Sequence, residues 1–118
     1  MTDAVLFIGW SGPVRGREEQ AMQVWADAVA YFQGAQDVGD IASYEALMLP
    51  PHGGGLGGFF LVRGDEQQLA NLQRRDEYDL LMTRVMMAVE NLSVLPAMTQ
   101  AEITQSLSKY KEQMAAIA

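Results

Sequence analysis

The order in which strand-like and helix-like patterns follow one another is the feature that most constrains the fold of this chain. Short runs of β-branched and aromatic residues predict strands at 4–8, 41–49 and 59–63, and the run at 85–97 predicts a fourth. Apolar residues spaced three and four apart predict an amphipathic helix over 17–38. Capping residues at Asp65 and Asp76 predict a broken helix over 66–84. The predicted order is therefore β-α-β-β-α-β.

Local signals mark where the helices begin and end. Gly39 follows the first helix and supplies a left-handed C-terminal position. Asp65 with Gln68, and Thr99 with Glu102, have the spacing of capping boxes, which start helices. After the second box an apolar stripe recurs at spacings of four and three, at Ile103, Leu107, Tyr110, Met114 and Ile117. These signals predict an additional C-terminal helix.

The predicted order is the split β-α-β arrangement of ferredoxin-like folds, an α+β class in which a four-stranded antiparallel sheet carries both helices on one face. The strands at 4–8 and 59–63 are apolar at successive positions, so a bare second face would expose Phe and Ile side chains at about 25 cal/mol per Å². We expect a second copy of the sheet to cover that face, which makes a homodimer. The C-terminal helix is the alternative cover, and its stripe could instead swap onto the partner.

Several segments resemble the dimeric α+β barrel superfamily: FIGW at 7–10, PPHGG at 50–54 and GFFLVR at 58–63. With PVRGRE at 13–18, the chain is also similar to a small uncharacterised bacterial family within that superfamily. The resemblance spans nearly the whole chain and implies two ferredoxin-like protomers paired sheet to sheet around a cavity. Members of the superfamily include cofactor-independent monooxygenases, isomerases, haem-handling enzymes and ligand-sensing domains, so the resemblance does not select a function.

Composition narrows the classes of partner. A chain of 118 residues with 49% hydrophobic residues fits a single domain over 1–118 with its own core. The formal charge of -7 repels phosphate backbones and anionic lipids, so no nucleic-acid partner is expected. No apolar run approaches the ~20 residues of a membrane helix, and the N-terminus lacks the basic residues of a signal peptide. The absence of cysteine suits a reducing compartment, so we expect a cytoplasmic protein without a membrane partner.

His52 is the only histidine, and it lies in a glycine-rich loop between two predicted strands. Imidazole exchanges protons readily near neutral pH, which makes His52 a candidate catalytic base. The alternative is an imidazole that is bonded to the loop backbone or solvated. Gly53, Gly55 and Gly58 match G-x-G-x-x-G, but a strand rather than a helix follows them, so nucleotide binding is not expected.

Five further residues are candidate ligand contacts. Ser43 and Glu45 lie on the mixed face of the second predicted strand, and the hairpin brings Arg63 toward them. Arg15 follows the first strand, and its guanidinium could bind a carboxylate or phosphate through paired hydrogen bonds. The indole of Trp10 could line a pocket. The alternatives are an exposed ion pair for Glu45 and a core position for Trp10.

No cofactor is expected, because one histidine and no cysteine are too few ligands for a zinc site, and a glycine-flanked His52 would hold haem loosely. Two functions stay open. The favoured function is that of a non-catalytic dimeric module that either binds a small ligand or serves only as a structural dimer. The other is a cofactor-independent monooxygenase or isomerase that acts on a small polar or anionic molecule, with His52 moving a proton. The sequence does not decide whether the chain is an enzyme.

Overall fold

The computed structural model describes residues 3–118. Within that range the elements follow the predicted order, with two short strands and a C-terminal helix added: β1 Asp3–Trp10, β2 Gly12–Pro13, α1 Glu18–Asp37, β3 Ser43–Met48, β4 Gly58–Asp65, α2 Glu66–Gln73, α3 Asp76–Ala88, β5 Val89–Glu90, β6 Ser93–Ala97 and α4 Gln100–Ala116. The predicted capping box at Asp65 and Gln68 is formed, with both of its hydrogen bonds present. Gly39 takes the left-handed conformation, with φ of 81°.

The main sheet has four strands in the order β3-β4-β1-β6, and every neighbouring pair is antiparallel. β1 is central and pairs with β4 along its whole length, from Asp3 opposite Asp65 to Trp10 opposite Gly58. The short strands β2 and β5 form a separate two-stranded sheet. The order and the helix crossovers are those of a ferredoxin-like α+β fold, so the predicted fold class is confirmed.

The core lies between the main sheet and the helices. Strand alternation turns Leu6 and Ile8 of β1, and Phe60 and Val62 of β4, toward α1 and α3. Each helix contributes a stripe at spacings of three and four, and these stripes are Val24, Ala28, Phe32 and Ala35 in α1 and Tyr78, Leu81, Val85 and Ala88 in α3. Burial of each large side chain contributes about 1.5 to 3 kcal/mol, so this layer supplies most of the apolar stabilisation.

The predicted fourth strand begins too early along the chain. Val85 and Ala88 are buried on α3, where they continue the spacing of Tyr78 and Leu81, so residues 85–88 form the last turn of a helix. A short apolar run matches both periodicities, and packing against α1 decides between them. The fourth strand of the main sheet is β6, whereas Glu90 belongs to β5.

The C-terminal helix is confirmed, but it does not cover the sheet of its own protomer. The Thr99 and Glu102 capping box starts α4, and none of the residues of α4 is buried. The five side chains of its apolar stripe are between 44% and 81% exposed. The radius of gyration is 16.8 Å, against about 13.5 Å for a compact chain of this length. The helix therefore projects from the body. Within residues 3–118 no helix packs on the sheet face opposite α1 and α3, which we call the open face.

Candidate functional site

An apolar pocket of about 450 Å³ lies between the main sheet and α1. Ile8 and Phe60 of the sheet form its floor, and α1 and α3 form its walls. On α1 the small side chains of Ala21 and Ala28 face this space, and they leave room that a larger residue would fill. The pocket therefore exists because two positions of the helix stripe carry alanine.

Three aromatic rings line the pocket and contact one another. Trp10 of β1 meets Trp25 of α1 edge to face at 5.7 Å between ring centroids, and Phe60 lies 5.9 Å from Trp10 and 5.1 Å from Trp25. The Trp10 ring lies over Gly58 on β4, where an added Cβ would come within 2.8 Å of the indole. Glycine at that position thus permits the indole to lie flat against the sheet. Trp10 and Trp25 are the two tryptophans of the chain, so its intrinsic fluorescence reports on this pocket.

Glu18 is the only charged side chain among the described residues that line the pocket. It is the first residue of α1, and both of its carboxylate oxygens accept a hydrogen bond from the Gly16 amide at 3.1 Å. Beside it, the Arg17 guanidinium donates to the Met87 carbonyl at 2.9 Å and ties the loop before α1 to α3. Nearby, the exposed Met22 adds a flexible thioether to the lining.

A second, wider groove of about 890 Å³ lies between the open face and the beginning of α4. Ser43 of β3 and Arg63 of β4 border it, together with Gln105 of α4. Arg63 also lies 3.6 Å from Glu45 across the β3–β4 hairpin, and both of these side chains are about half exposed. The hairpin thus brings Arg63 to Glu45 as an ion pair that remains in contact with solvent.

The structure brings the predicted ligand residues together only in part. Ser43, Glu45 and Arg63 lie on the open face, whereas Trp10 lies on the helix face and lines the apolar pocket. Arg15 is exposed and makes no hydrogen bond or ion pair with any residue in the described part of the chain. These five side chains therefore do not border a single cavity, and their roles in ligand binding stay predictions.

His52 is exposed, and both of its ring nitrogens are bonded to the backbone of its own loop. Nε2 lies 2.8 Å from the Leu56 carbonyl, and the Gly54 amide donates to Nδ1 at 3.2 Å. An imidazole that carries its proton on Nε2 satisfies both contacts, because the carbonyl only accepts and the amide only donates. This arrangement supports the structural alternative for His52, and its role as a catalytic base stays a prediction.

The sequence analysis missed the side chains that α1 and α3 contribute to the pocket. Trp25 and Ala21 appear in the sequence only as members of a helix stripe, and Met82 looks like core filler. The available signal was the small side chains of Ala21 and Ala28 beside the bulky Trp25 and Phe32 on the same side of the predicted helix. Nothing in the local spacing shows that the space above these alanines remains open, because that depends on how far α1 stands from the sheet.

Other perturbed groups lie away from the pocket. A hydrogen bond from Arg75 lowers the pKa of Asp40, which joins the end of α1 to the start of α3. Burial raises the pKa values of Tyr31 and Tyr78, and the Tyr31 hydroxyl has no hydrogen-bond partner within residues 3–118. Among those same residues, no group of three or more His, Cys, Asp or Glu side chains is placed to hold a metal ion, and no helix is long and apolar enough to cross a membrane.

Comparison with known proteins identifies the fold and no family. No family model matches the chain, and no curated protein matches it. A crystal structure of a dimeric ferredoxin-like protein of unknown function from Jannaschia sp. CCS1 has a TM-score of 0.65 at 8% identity, with 83% of this chain and 100% of that chain covered. A dimeric protein of unknown function and ferredoxin-like fold from Bacteroides fragilis NCTC 9343 has a TM-score of 0.64 at 7% identity, with coverage of 82% and 96%.

A third similar structure comes from a plant. The solution structure of a hypothetical Arabidopsis thaliana protein has a TM-score of 0.61 at 10% identity, with 85% of this chain and 94% of that chain covered. Identities this low report on backbone arrangement alone, and fold does not determine function. The chain has a ferredoxin-like α+β fold that it shares with dimeric bacterial proteins of unknown function.

Proposed function

We propose that this protein is a dimeric module that binds a small apolar molecule in the pocket between the main sheet and α1. The pocket itself carries the proposal. Its volume of about 450 Å³ falls within the range of about 300 to 1,000 Å³ that small-molecule sites occupy. Trp10, Trp25 and Phe60 offer the flat apolar walls that bind an aromatic or alicyclic body.

The charges around the pocket favour a neutral or cationic ligand. Glu18 is the charged residue of its lining, and no Arg or Lys lines it among the described residues. The formal charge of -7 gives the whole chain a negative potential that attracts cations and repels anions. A carboxylate placed in this apolar space would lose its hydration without gaining a cationic partner. The expected ligand therefore has an apolar body and a neutral or amino head group.

The dimer is the second part of the proposal. The open face carries Phe7 and Phe59, whose rings stack at 5.4 Å, and Leu95 beside them is 48% exposed. A contiguous apolar surface of this kind is typical of an interface. The similar proteins from Jannaschia and Bacteroides are described as dimeric. We therefore infer that two copies associate and that their open faces are buried at the interface between them.

Binding rather than turnover is proposed because the pocket holds few groups that move protons. His52 is not among its lining residues, and the two carboxylate oxygens of Glu18 already share the single Gly16 amide hydrogen of the loop before α1. A monooxygenase or isomerase reaction would need an acid–base group at the bound molecule.

The test uses three ligands that share one ring and differ in charge: 3-phenylpropanol, 3-phenylpropylamine and 3-phenylpropionate. Tryptophan emission and the melting temperature are measured during titration, because a ligand that binds the folded state raises the melting temperature. The alcohol and the amine should shift both signals, and the carboxylate should bind at least ~10-fold more weakly, or about 1.4 kcal/mol.

A pocket-filling variant provides the control for this test. Ala21→Leu places a larger side chain in the pocket, and Ala26→Leu makes the same change at an exposed position of α1. The first variant should lose binding, and the second should keep it. The proposal is wrong if neither the alcohol nor the amine binds the wild-type protein, or if both leucine variants bind equally well.

A further inference from the structure

The apolar stripe of α4 faces away from the body of its own protomer. The α4 residues that border the groove beside the open face are Gln100, Ala101, Glu102 and Gln105. At about 100° per residue, the mean direction of these four side chains lies about 175° around the helix axis from the mean direction of the stripe. The stripe consists of Ile103, Leu107, Tyr110, Met114 and Ile117, all at least 44% exposed. The side of α4 that faces its own sheet is therefore its polar side.

The spacing of the stripe indicates that it packs against another surface. Its members recur at four, three, four and three residues, which makes a narrow continuous seam along the helix. The flanking positions Thr104, Ser106 and Lys111 are polar, so the apolar surface is confined to that seam. Exposure of this seam to water is unfavourable, because a partner surface that buried the five side chains would contribute a favourable free energy for each large one.

The charge distribution favours a partner surface on a second copy of this chain. Residues 100–118 carry two acidic and two basic side chains, so the formal charge of -7 belongs to residues 1–99. Lys109 and Lys111 are the only lysines of the sequence. Two bodies with this charge repel one another, whereas a neutral arm that carries both lysines approaches an acidic body without that repulsion.

We propose that α4 is an exchanged arm whose stripe packs on the open face of a second copy, while the α4 of the second copy packs on this one. The open face is an apolar surface on which no helix within residues 3–118 packs, and the stripe points away from the open face of its own protomer. In a dimer with one two-fold axis, the stripe and the open face of each copy are both covered by the other copy. The inference rests on the proposed dimer and adds the element that holds it together.

The first test compares two sides of the same helix in the full-length protein. The double variant Leu107→Ser with Tyr110→Ser removes the middle of the seam, and the matched control Gln105→Ser with Glu112→Ser changes the opposite side. In a dilution series by analytical ultracentrifugation, the seam variant should raise the dimer dissociation constant by at least ~100-fold, and the control by less than ~3-fold. Circular dichroism and ligand binding in the pocket should stay unchanged in both variants.

The outcomes separate this inference from the proposed function. A wild-type protein that is monomeric at micromolar concentration overturns both the dimer and the exchanged arm. A wild-type dimer that the seam variant leaves intact overturns the arm alone.

The second test locates the surface that the seam meets, and the absence of cysteine makes every introduced thiol unique. Leu107→Cys protein is mixed in turn with Leu47→Cys and Leu95→Cys proteins, which place thiols on the two edge strands of the open face. A bismaleimide should link Leu107→Cys to at least one of these variants as a dimer of twice 13.0 kDa, and the Gln105→Cys control should not link. Cross-links only between two Leu107→Cys chains, or no cross-links, would overturn the exchange.

Discussion

Trp10 of β1 and Trp25 of α1 meet edge to face, with their ring centroids 5.7 Å apart and their planes at 74°. This geometry places the edge of one indole against the face of the other, an arrangement that aromatic pairs prefer over a stacked sandwich. Both rings also contact Phe60 on β4, so the pair joins the helix to two strands of the sheet. The adjacent small residues of α1 leave the space that forms the pocket.

The stability of this layer depends on the ring at its centre. Phe32 of α1 is completely buried and packs on Phe60 at 5.4 Å between centroids. Phe32→Ala should lower the free energy of unfolding by about 3 to 5 kcal/mol, from lost burial and a residual cavity. Urea denaturation measures the change, and Met22→Ala, at a position 73% exposed, should change it by less than about 0.5 kcal/mol. A loss below about 1 kcal/mol at Phe32 would contradict the described packing.

The imidazole of His52 should order its loop and contribute little to global stability. His52→Ala removes the acceptor for the Gly54 amide and the donor to the Leu56 carbonyl. Because both contacts are exposed, the free energy of unfolding should fall by less than about 1 kcal/mol. Hydrogen exchange measured by NMR should accelerate at Gly54, while the Leu49 amide, which donates to the Gly57 carbonyl at 2.8 Å, should keep its protection. Unchanged exchange at Gly54 would show that the imidazole does not hold the loop.

The ion pair between Glu45 and Arg63 should be weak in the separated protomer, where the open face on which it lies is not covered by a second copy. Their side chains are 54% and 46% exposed and lie 3.6 Å apart, and exposed pairs contribute about 0 to 1 kcal/mol because water and salt screen them. A double-mutant cycle with Glu45→Gln and Arg63→Gln should give a coupling energy below about 1 kcal/mol that falls further in high salt. A coupling above about 2 kcal/mol would indicate that the pair is shielded from water, as it would be inside a dimer interface.

Stability should depend on the ionisation of Asp40. The hydrogen bond from Arg75 lowers the pKa of Asp40 from its ordinary value of 3.8, so the folded state favours the carboxylate. The resulting stabilisation is present above the unfolded pKa and is lost as the pH falls through the lowered folded pKa. Asp40→Asn should therefore be slightly less stable than the wild type at pH 7 and equal to it in strong acid.

The control for the Asp40 experiment is Asp37→Asn, a change that keeps an acceptor for the Gln33 amide. Thermal melts of both variants across the acid range give the comparison. The interpretation fails if the deficit of Asp40→Asn persists unchanged below the lowered pKa, because the effect would then not come from the ionised carboxylate.

Removing α4 should affect association and spare the folding of the body. No residue of this helix is buried within its own protomer. At the lowest measurable concentration, a chain that ends at Thr99 should therefore melt within about 2 °C of the full chain. This shift in melting temperature corresponds to less than about 1 kcal/mol. The melting temperature of the full chain should rise with protein concentration, because dimerisation stabilises the folded state by mass action. The shortened chain should show little of this dependence. A shortened chain that melts much lower at every concentration would mean that α4 packs on its own body.

The sequence by itself determined the features that depend on contacts between residues close together in the chain. The capping boxes at Asp65 and Thr99 formed as their spacing predicts, and Gly39 took a left-handed turn, because each depends on contacts within a few residues. The order of strands and helices followed from periodicity, and this order indicated the ferredoxin-like fold. Residues 85–88 were the exception, since an apolar run fits both a strand and a helix until α1 packs against it.

Only the tertiary structure determined where the pocket lies and which groups the candidate side chains contact. The pocket beside Trp10 and Trp25 depends on how far α1 stands from the sheet, and that distance is set jointly by side chains from several strands and helices. His52 met the backbone of its own loop, and Glu45 met Arg63, because the geometry of the loop and of the hairpin placed them there. The direction of the α4 stripe followed from the angle at which the helix leaves β6. Spacing along a helix defines its apolar side, and only the placement of that helix determines what the side faces.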